Sequence, residues 1–210
     1  MTDDWSLDAR ALVRPARTFK ALAASHRAGD SQSTFWTAAR RPLFLTLVLA
    51  CVVSLVGTSV ASVRLIAPTA IYWSFVPVIE ILALAVVVWR RSRSGSFASL
   101  VDTFFVGHGV WTLFILVAGA AFAVASPMHW WFLITGPAIA GLLFVSAWSA
   151  YVDVCFFKYV CDSRLAGAIG SAALHRVIAW MLIFWIFAVP EPTPLGVIQE
   201  IVEAVKELLQ

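Results

Sequence analysis

The sequence predicts an all-α protein that crosses a membrane five times, with an amphipathic helix on each side of the spanning region. Of its 210 residues, 61% are hydrophobic and only 13% are charged, whereas about a quarter of the residues of a soluble domain are charged. Apolar stretches of about 18 or more residues, long enough to cross a bilayer as a helix, recur along the chain. These two observations exclude the class of soluble globular proteins. No apolar run of signal-peptide length precedes Leu43, so we expect the first span to direct insertion.

Five apolar segments define the predicted spans of a transmembrane helix bundle. They are, in chain order, Leu43–Val63, Ile71–Trp89, Leu100–Ala125, Trp130–Tyr151 and Gly167–Val189. The fourth span could continue to Val160. The fifth begins with turns rich in Ala and Gly, and it contains Arg176.

The basic residues are distributed unevenly over the predicted links and so indicate an orientation. Thirteen of the fifteen lie before the first span, after the second span, or around the link between the fourth and fifth spans. The two others are Arg64, after the first span, and Lys206, in the tail. Because cytoplasmic links carry the excess of Lys and Arg, the positive-inside rule predicts a cytoplasmic N-terminus and an external C-terminus.

The segment RPARTFKALAASHR, residues 14–27, is predicted to be an amphipathic helix ahead of the first span. Pro15 suits the first turn of such a helix. One interpretation is a helix lying on the anionic cytoplasmic leaflet, in contact with lipid headgroups or a cytosolic partner. The other is a helix packed beneath the bundle. The candidate residues for lipid or partner contact are Arg14, Arg17, Phe19, Lys20, Leu22 and Arg27.

The tail contains a second predicted amphipathic helix, GVIQEIVEAVKELLQ, in which apolar residues recur at helical spacing. Its three glutamates make it acidic, so docking on the bundle or on a partner is favoured over binding to an anionic membrane surface. The predicted organisation is a basic lead-in at residues 1–41, a spanning domain at 42–190 and an acidic tail at 191–210.

Glu80 is the most unusual residue of the predicted spans, because it lies near the middle of the second one. It precedes Arg90 by about ten residues, or about 15 Å of helix. A carboxylate at that depth is costly and usually faces a partner inside the bundle. His108, between Gly107 and Gly109 at a comparable depth of the third span, is the predicted partner, since consecutive antiparallel spans are expected to be neighbours.

Three further ionisable residues lie near the predicted cytoplasmic boundary. Asp102 opens the third span, Asp153 closes the fourth, and Arg176 lies in the fifth. Arg176 could pair with either aspartate. We expect all three to hold helices together or anchor them at the interface.

Sequence motifs of enzymes and metal sites are absent from the chain, which has no GxSxG, HExxH, Walker or GxGxxG pattern. The cysteines, Cys51, Cys155 and Cys161, lack CxxC spacing and are expected to be unpaired thiols. No catalytic residue, metal or cofactor is therefore assigned. His108, with Trp111 one turn further, leaves a haem or chlorin ligand open, although a lone histidine in a span is more often a hydrogen-bonded core residue.

Two short sequence patterns occur directly before predicted spans. One is P-x-x-x-F-x-x-L before the first span, formed by Pro15, Phe19 and Leu22. The other is RRSRSGSFASLVDTFF before the third span, with a Gly/Ser-Phe-x-x-Leu start. With the five-span hydropathy, they resemble bacterial members of the Yip1 family of multispanning membrane proteins, over Ala11 to Val189. The resemblance implies a non-enzymatic membrane organiser or adaptor in a bacterial cytoplasmic membrane, and it transfers no catalytic residues. The acidic-Leu-Tyr-Gly-Pro stretch of the eukaryotic relatives has no clear counterpart, so small-GTPase binding is not carried over.

The function expected from the sequence is therefore that of a membrane organiser, adaptor or accessory subunit acting through helix and lipid contacts. Its partners would be the bilayer and either another membrane protein or a second copy, and not nucleic acid. One alternative is a channel or carrier component with a proton or cation site at Glu80 and His108. The other is a cofactor-binding subunit of a redox or photosynthetic complex with His108 as the ligand.

Overall fold

The computed structural model describes residues 2–27, 35–58, 63–89, 96–125 and 130–188, and every regular element in these ranges is an α-helix. The predicted acidic tail helix and the basic link at residues 90–95 lie outside the described residues. The helices are α1 (Thr2–Val13), α2 (Pro15–Arg27), α3 (Phe35–Thr58), α4 (Val63–Trp73), α5 (Phe75–Val88), α6 (Phe97–Val106), α7 (Gly109–Ala125), α8 (Trp131–Tyr159) and α9 (Leu165–Ala188).

The described helices make the chain an integral membrane protein. Four segments are long and apolar enough to cross a membrane, namely Phe35–Gly57, Val63–Val88, Phe132–Tyr159 and Leu165–Ile186. A fifth is formed by α6 and α7 if this bent pair is counted as one span. The all-helical, membrane-spanning class is thus confirmed, with four or five spans in the described part of the chain.

The second spanning segment is longer than the sequence predicts. The stretch from Arg64 to Ala70, expected to be a link, belongs to α4. One arginine near a helix end is compatible with a span because its long side chain can reach the interface. Helices α4 and α5 meet at Ser74, whose hydroxyl donates to the Ile71 carbonyl at 2.7 Å. The predicted fourth span corresponds to α8, which ends at Tyr159, in agreement with the longer of its two predicted versions.

The predicted third span is bent by 44° between α6 and α7. At the bend, the Gly107 and His108 amides donate to the carbonyls of Phe104 and Phe105, each at 3.1 Å, three residues back instead of four. Glycine is needed here, because a Cβ on Gly107 would lie 2.7 Å from a methyl carbon of Val152. The absence of a side chain at Gly107 therefore lets α8 approach the junction of α6 and α7 closely.

The spanning helices are arranged as a closed ring. Helix α3 packs on α4 and α5 on one side and on α6 and α7 on the other, α7 packs on α8, and α9 lies between α8 and α5. The main neighbours of α5 are therefore α9 and α3. This corrects the expectation that the second and third spans pack directly on each other, because the short link between them does not dictate the order of helices around the ring.

The two lead-in helices pack on the bundle, as the second interpretation of the amphipathic segment expects. Helix α2 lies against α8, and α1 contacts α2, α6 and α7. The Phe19 ring is fully buried and meets Phe156 edge to face at a centroid distance of 5.9 Å. Phe156 meets Phe104 of α6 in the same way at 5.2 Å. The main hydrophobic core thus lies at the end of the bundle that α1 and α2 cover.

Candidate functional site

Polar side chains from four helices meet inside the ring and form the candidate site, here called the polar cluster. Glu80 lies about 12 Å from the end of α5, and His175 about 15 Å from the start of α9, counting 1.5 Å per residue. Both ends belong to the side of the bundle on which α3 begins. The members of the polar cluster are Glu80, Trp111, Ser149, Asp153, His175 and Arg176.

An ion pair between Arg176 and Asp153 joins α9 to α8. The Arg176 Nε donates to Asp153 Oδ2 at 2.8 Å, and only 8% of Asp153 is exposed. The guanidinium also donates to the Ser146 carbonyl at 3.3 Å and to the Ser149 hydroxyl. The Trp111 indole of α7 donates to the same hydroxyl at 2.9 Å. Of the two aspartates considered for Arg176, Asp153 is the one with which it pairs, and the resulting network joins three helices.

Glu80 contacts His175 and not the predicted His108. The His175 Nε2 lies 3.3 Å from the Glu80 carboxylate oxygen Oε2 and 3.1 Å from the Glu80 carbonyl. Both neighbours are oxygen acceptors, so the geometry favours the tautomer with its proton on Nε2. His175 is 2% exposed, and its Nδ1 has no partner among the described residues. The correction follows from the ring, since α9 is the helix that faces this part of α5.

His108 lies at the bend between α6 and α7, packed on aromatic rings. Its imidazole centroid is 4.8 Å from that of Phe104 and 4.7 Å from that of Phe105, and its Nδ1 lies 3.4 Å from the Phe104 carbonyl. The Phe104 ring also contacts His175, at 4.9 Å. The two histidines therefore contact the same phenyl ring, and His175 is the one that reaches Glu80. The cofactor alternative for His108 stays a prediction.

A second ionic group, here called the anchor, fastens α1 to α3 and α6. The Arg41 Nε donates to Asp8 at 3.0 Å, and its Nη1 contacts Asp102. Arg40 lies 3.9 Å from the same Asp102 oxygen. Asp102 is thus paired with α3 and not with Arg176. Burial raises the pKa of the Asp8 carboxyl above its ordinary value, although the adjacent Arg41 acts in the opposite direction.

The residues predicted to contact lipid or a partner, in α2 and directly before it, divide into two groups. Arg14, Arg17 and Lys20 are exposed. Phe19 is fully buried, and Leu22 packs against the same core. These two side chains therefore form no part of the outer surface. The Arg27 side chain lies outside the described residues. The outer face of α2 is therefore basic, and its apolar face binds the bundle.

Two members of the polar cluster, Ser149 and Trp111, are not predicted from the sequence. The ion pair between Asp8 and Arg41 is not predicted either. One signal was present, because Ser149 precedes Asp153 by four residues and so shares its helix face. Within the described ranges no group of three or more His, Cys, Asp or Glu side chains could hold a metal ion. The cysteines form no disulfide with one another.

Comparisons with protein-family models, with curated proteins and with solved structures gave no match to this chain. The resemblance to the Yip1 family therefore stays a prediction that rests on the patterns quoted above.

Proposed function

We propose that this protein is a non-enzymatic membrane organiser or adaptor that acts through contacts of its helices with lipids and with other proteins. The observation that carries the proposal is the way in which α1 and α2 are attached. The anchor, the buried Phe19 ring and a hydrogen bond from the Trp148 indole to the Leu12 carbonyl at 3.1 Å all hold this pair to the bundle. A fixed orientation lowers the entropy lost when such a surface binds a partner.

The outer surfaces of the bundle support the same proposal. Large apolar side chains are exposed along its walls, among them Leu116, Val117, Phe132, Leu143, Phe184 and Trp185. A lateral cavity of about 510 Å³, lined mainly by apolar residues, opens between α3, α5 and α6. Such walls suit acyl chains, a membrane-protein partner or a second copy. The charge distribution favours an orientation with α1 and α2 in the cytoplasm, and the resemblance to bacterial members of the Yip1 family implies a bacterial cytoplasmic membrane.

The proposal is tested by purifying the full chain natively in mild detergent and identifying everything that co-purifies by mass spectrometry. We expect a stoichiometric protein partner or a defined oligomer that exchanges little during purification. The variant Phe19→Ala, which loosens α2, is expected to lower the yield of that assembly. A monomer that carries neither partner nor lipid, and that catalyses ion flux, would overturn the proposal.

A second candidate function is suggested by Glu80 and His175. The Glu80 carboxyl is 21% exposed, and it faces an imidazole whose second nitrogen has no partner in the described part of the chain. Two groups that can each hold a proton, side by side inside a bundle, are what a proton or cation carrier needs. The residue pair differs from the one that the sequence predicts, because His175 replaces His108.

The variant Glu80→Gln separates the two functions. If the contact is structural, the wild type supports no proton or cation flux in proteoliposomes, and Glu80→Gln lowers the free energy of unfolding by about 0.5–2 kcal/mol, as single interhelical hydrogen bonds do in membranes. Loss of a measurable wild-type flux in both Glu80→Gln and His175→Gln, with His108→Gln unaffected and all three variants folded, would instead establish the carrier.

A further inference from the structure

We propose that the groove between the α1–α2 turn and α8 is a binding site for one anionic phospholipid, with its phosphate on Arg14 and Arg17. The inference rests on the proposed function, because it names the ligand of the surface that α1 and α2 present. It goes beyond a general attraction of basic residues to a membrane, since it assigns a defined cavity and two of the basic residues to the headgroup.

The groove is a cavity of about 370 Å³ between the turn and α8. Its shape is fixed, because the Trp148 indole N–H in its wall donates to the Leu12 carbonyl in the turn at 3.1 Å. A headgroup entering it would therefore meet a prepared surface, which reduces the entropic cost of binding. Its lining consists of Val13, Arg14, Pro15, Ala16, Arg17, Trp148 and Tyr151.

The charge of the groove is positive, and no carboxylate of the described residues neutralises it. Arg14 and Arg17 are exposed, and among the described residues neither guanidinium is paired with a carboxylate. Arginines three positions apart at the start of a helix lie on neighbouring sides of it. Guanidinium groups bind phosphate oxygens through two parallel N–H donors, so two of them can hold one phosphate from two directions.

An aromatic stripe on α8 leads from the groove into the membrane. Trp148 lies 6.3 Å from Phe144 and 5.5 Å from Tyr151, measured between ring centroids. Phe144 is 66% exposed and Tyr151 is 46% exposed, so the stripe faces outward. Trp and Tyr side chains concentrate at the membrane–water interface. Phe144 precedes Tyr151 by about 10 Å of helix, in the direction that leads into the membrane.

Groove and stripe together determine the class of ligand. The arginines require an anion, and the exposed ring of Phe144 offers an apolar surface to a hydrocarbon chain at the depth where such a chain begins. A phospholipid with a net negative headgroup has both parts in this order, and free inorganic phosphate has only the first. The positive-inside orientation places the groove in the cytoplasmic leaflet, where anionic lipids provide a negative surface.

The test measures the binding of phosphatidylglycerol to the full chain in nanodiscs of otherwise zwitterionic lipid, by native mass spectrometry of retained lipid. We expect Arg14→Gln/Arg17→Gln to weaken retention by about tenfold or more, because each basic contact near an anionic surface contributes appreciably to affinity. The matched control is Arg10→Gln/Lys20→Gln, which removes the same charge from exposed positions of α1 and α2 outside the groove, and it is expected to weaken retention less than about threefold.

Two outcomes would overturn the lipid site. Equal losses in the two double variants would mean that diffuse charge attraction accounts for binding. Full competition by inorganic phosphate, together with unchanged retention in Phe144→Ala, would mean that the groove holds phosphate and not a lipid. Both outcomes leave the protein assembly of the wild type unaffected, so failure of the lipid site is distinguishable from failure of the proposed function.

Discussion

Replacing Asp153 by alanine is expected to lower the free energy of unfolding by about 3–5 kcal/mol, since the loss of one partner from a buried ion pair leaves the other charge uncompensated. The charge left behind is the Arg176 guanidinium, inside the ring of helices. The measurement is reversible unfolding in mixed micelles by titration with a denaturing detergent.

The double variant Asp153→Leu/Arg176→Met provides the control for this prediction. Replacing both members of a buried pair by apolar residues of similar volume is often neutral or stabilising. The double variant should therefore be more stable than Asp153→Leu or Arg176→Met alone. The difference measures the coupling between the two residues. If the two single losses simply add, the ion pair does not hold α8 to α9, and the structural interpretation of the polar cluster is wrong.

Replacing Phe19 by alanine is expected to detach α1 and α2 from the bundle. Truncation of a fully buried phenylalanine costs about 3–5 kcal/mol in well-packed cores, and this ring fills the space between α2, α6 and α8. Because the loss falls on one face of one helix, amide hydrogen exchange should accelerate throughout α1 and α2 and remain nearly unchanged in α9.

Phe132→Ala is the matched control, because the same substitution is made at a ring that is 59% exposed on the wall of α8. Exchange in α1 and α2 should then be that of the wild type. Unchanged exchange in Phe19→Ala would show that the anchor and the Trp148–Leu12 hydrogen bond hold the lead-in helices and that the aromatic contacts contribute little.

Much of the fold could be predicted because spans are defined by length and hydropathy, which are local properties of the sequence. The starts and ends of α8 and α9 fall within a few residues of the prediction that allows the fourth span to reach Val160. The stretch from Arg64 to Ala70 is predicted to be a link because it lies between two apolar segments. In the structure it is part of α4.

The pairing inside the bundle could not be predicted from chain order, because the sequence does not state which helices are neighbours. The sequence predicts His108 as the partner of Glu80 because the two residues lie at comparable depth in consecutive spans. A more informative signal was the adjacency of His175 and Arg176. Successive residues of a helix point about 100° apart, so two polar residues side by side face two different neighbours. The two neighbours of α9 are α5, which carries Glu80, and α8, which carries Asp153.

The position of α9 has a consequence for the biosynthesis of the protein. Glu80 and Asp153 both find their basic or imidazole partners on α9, the last of the described helices to leave the ribosome. Until it enters the membrane, the nascent chain carries two acids in earlier spans without these partners, and the ring cannot close. Insertion of α9 therefore completes the assembly in one step. Chains that stop before His175 would retain unpaired acids in the bilayer, and such chains are suitable substrates for membrane quality-control proteases.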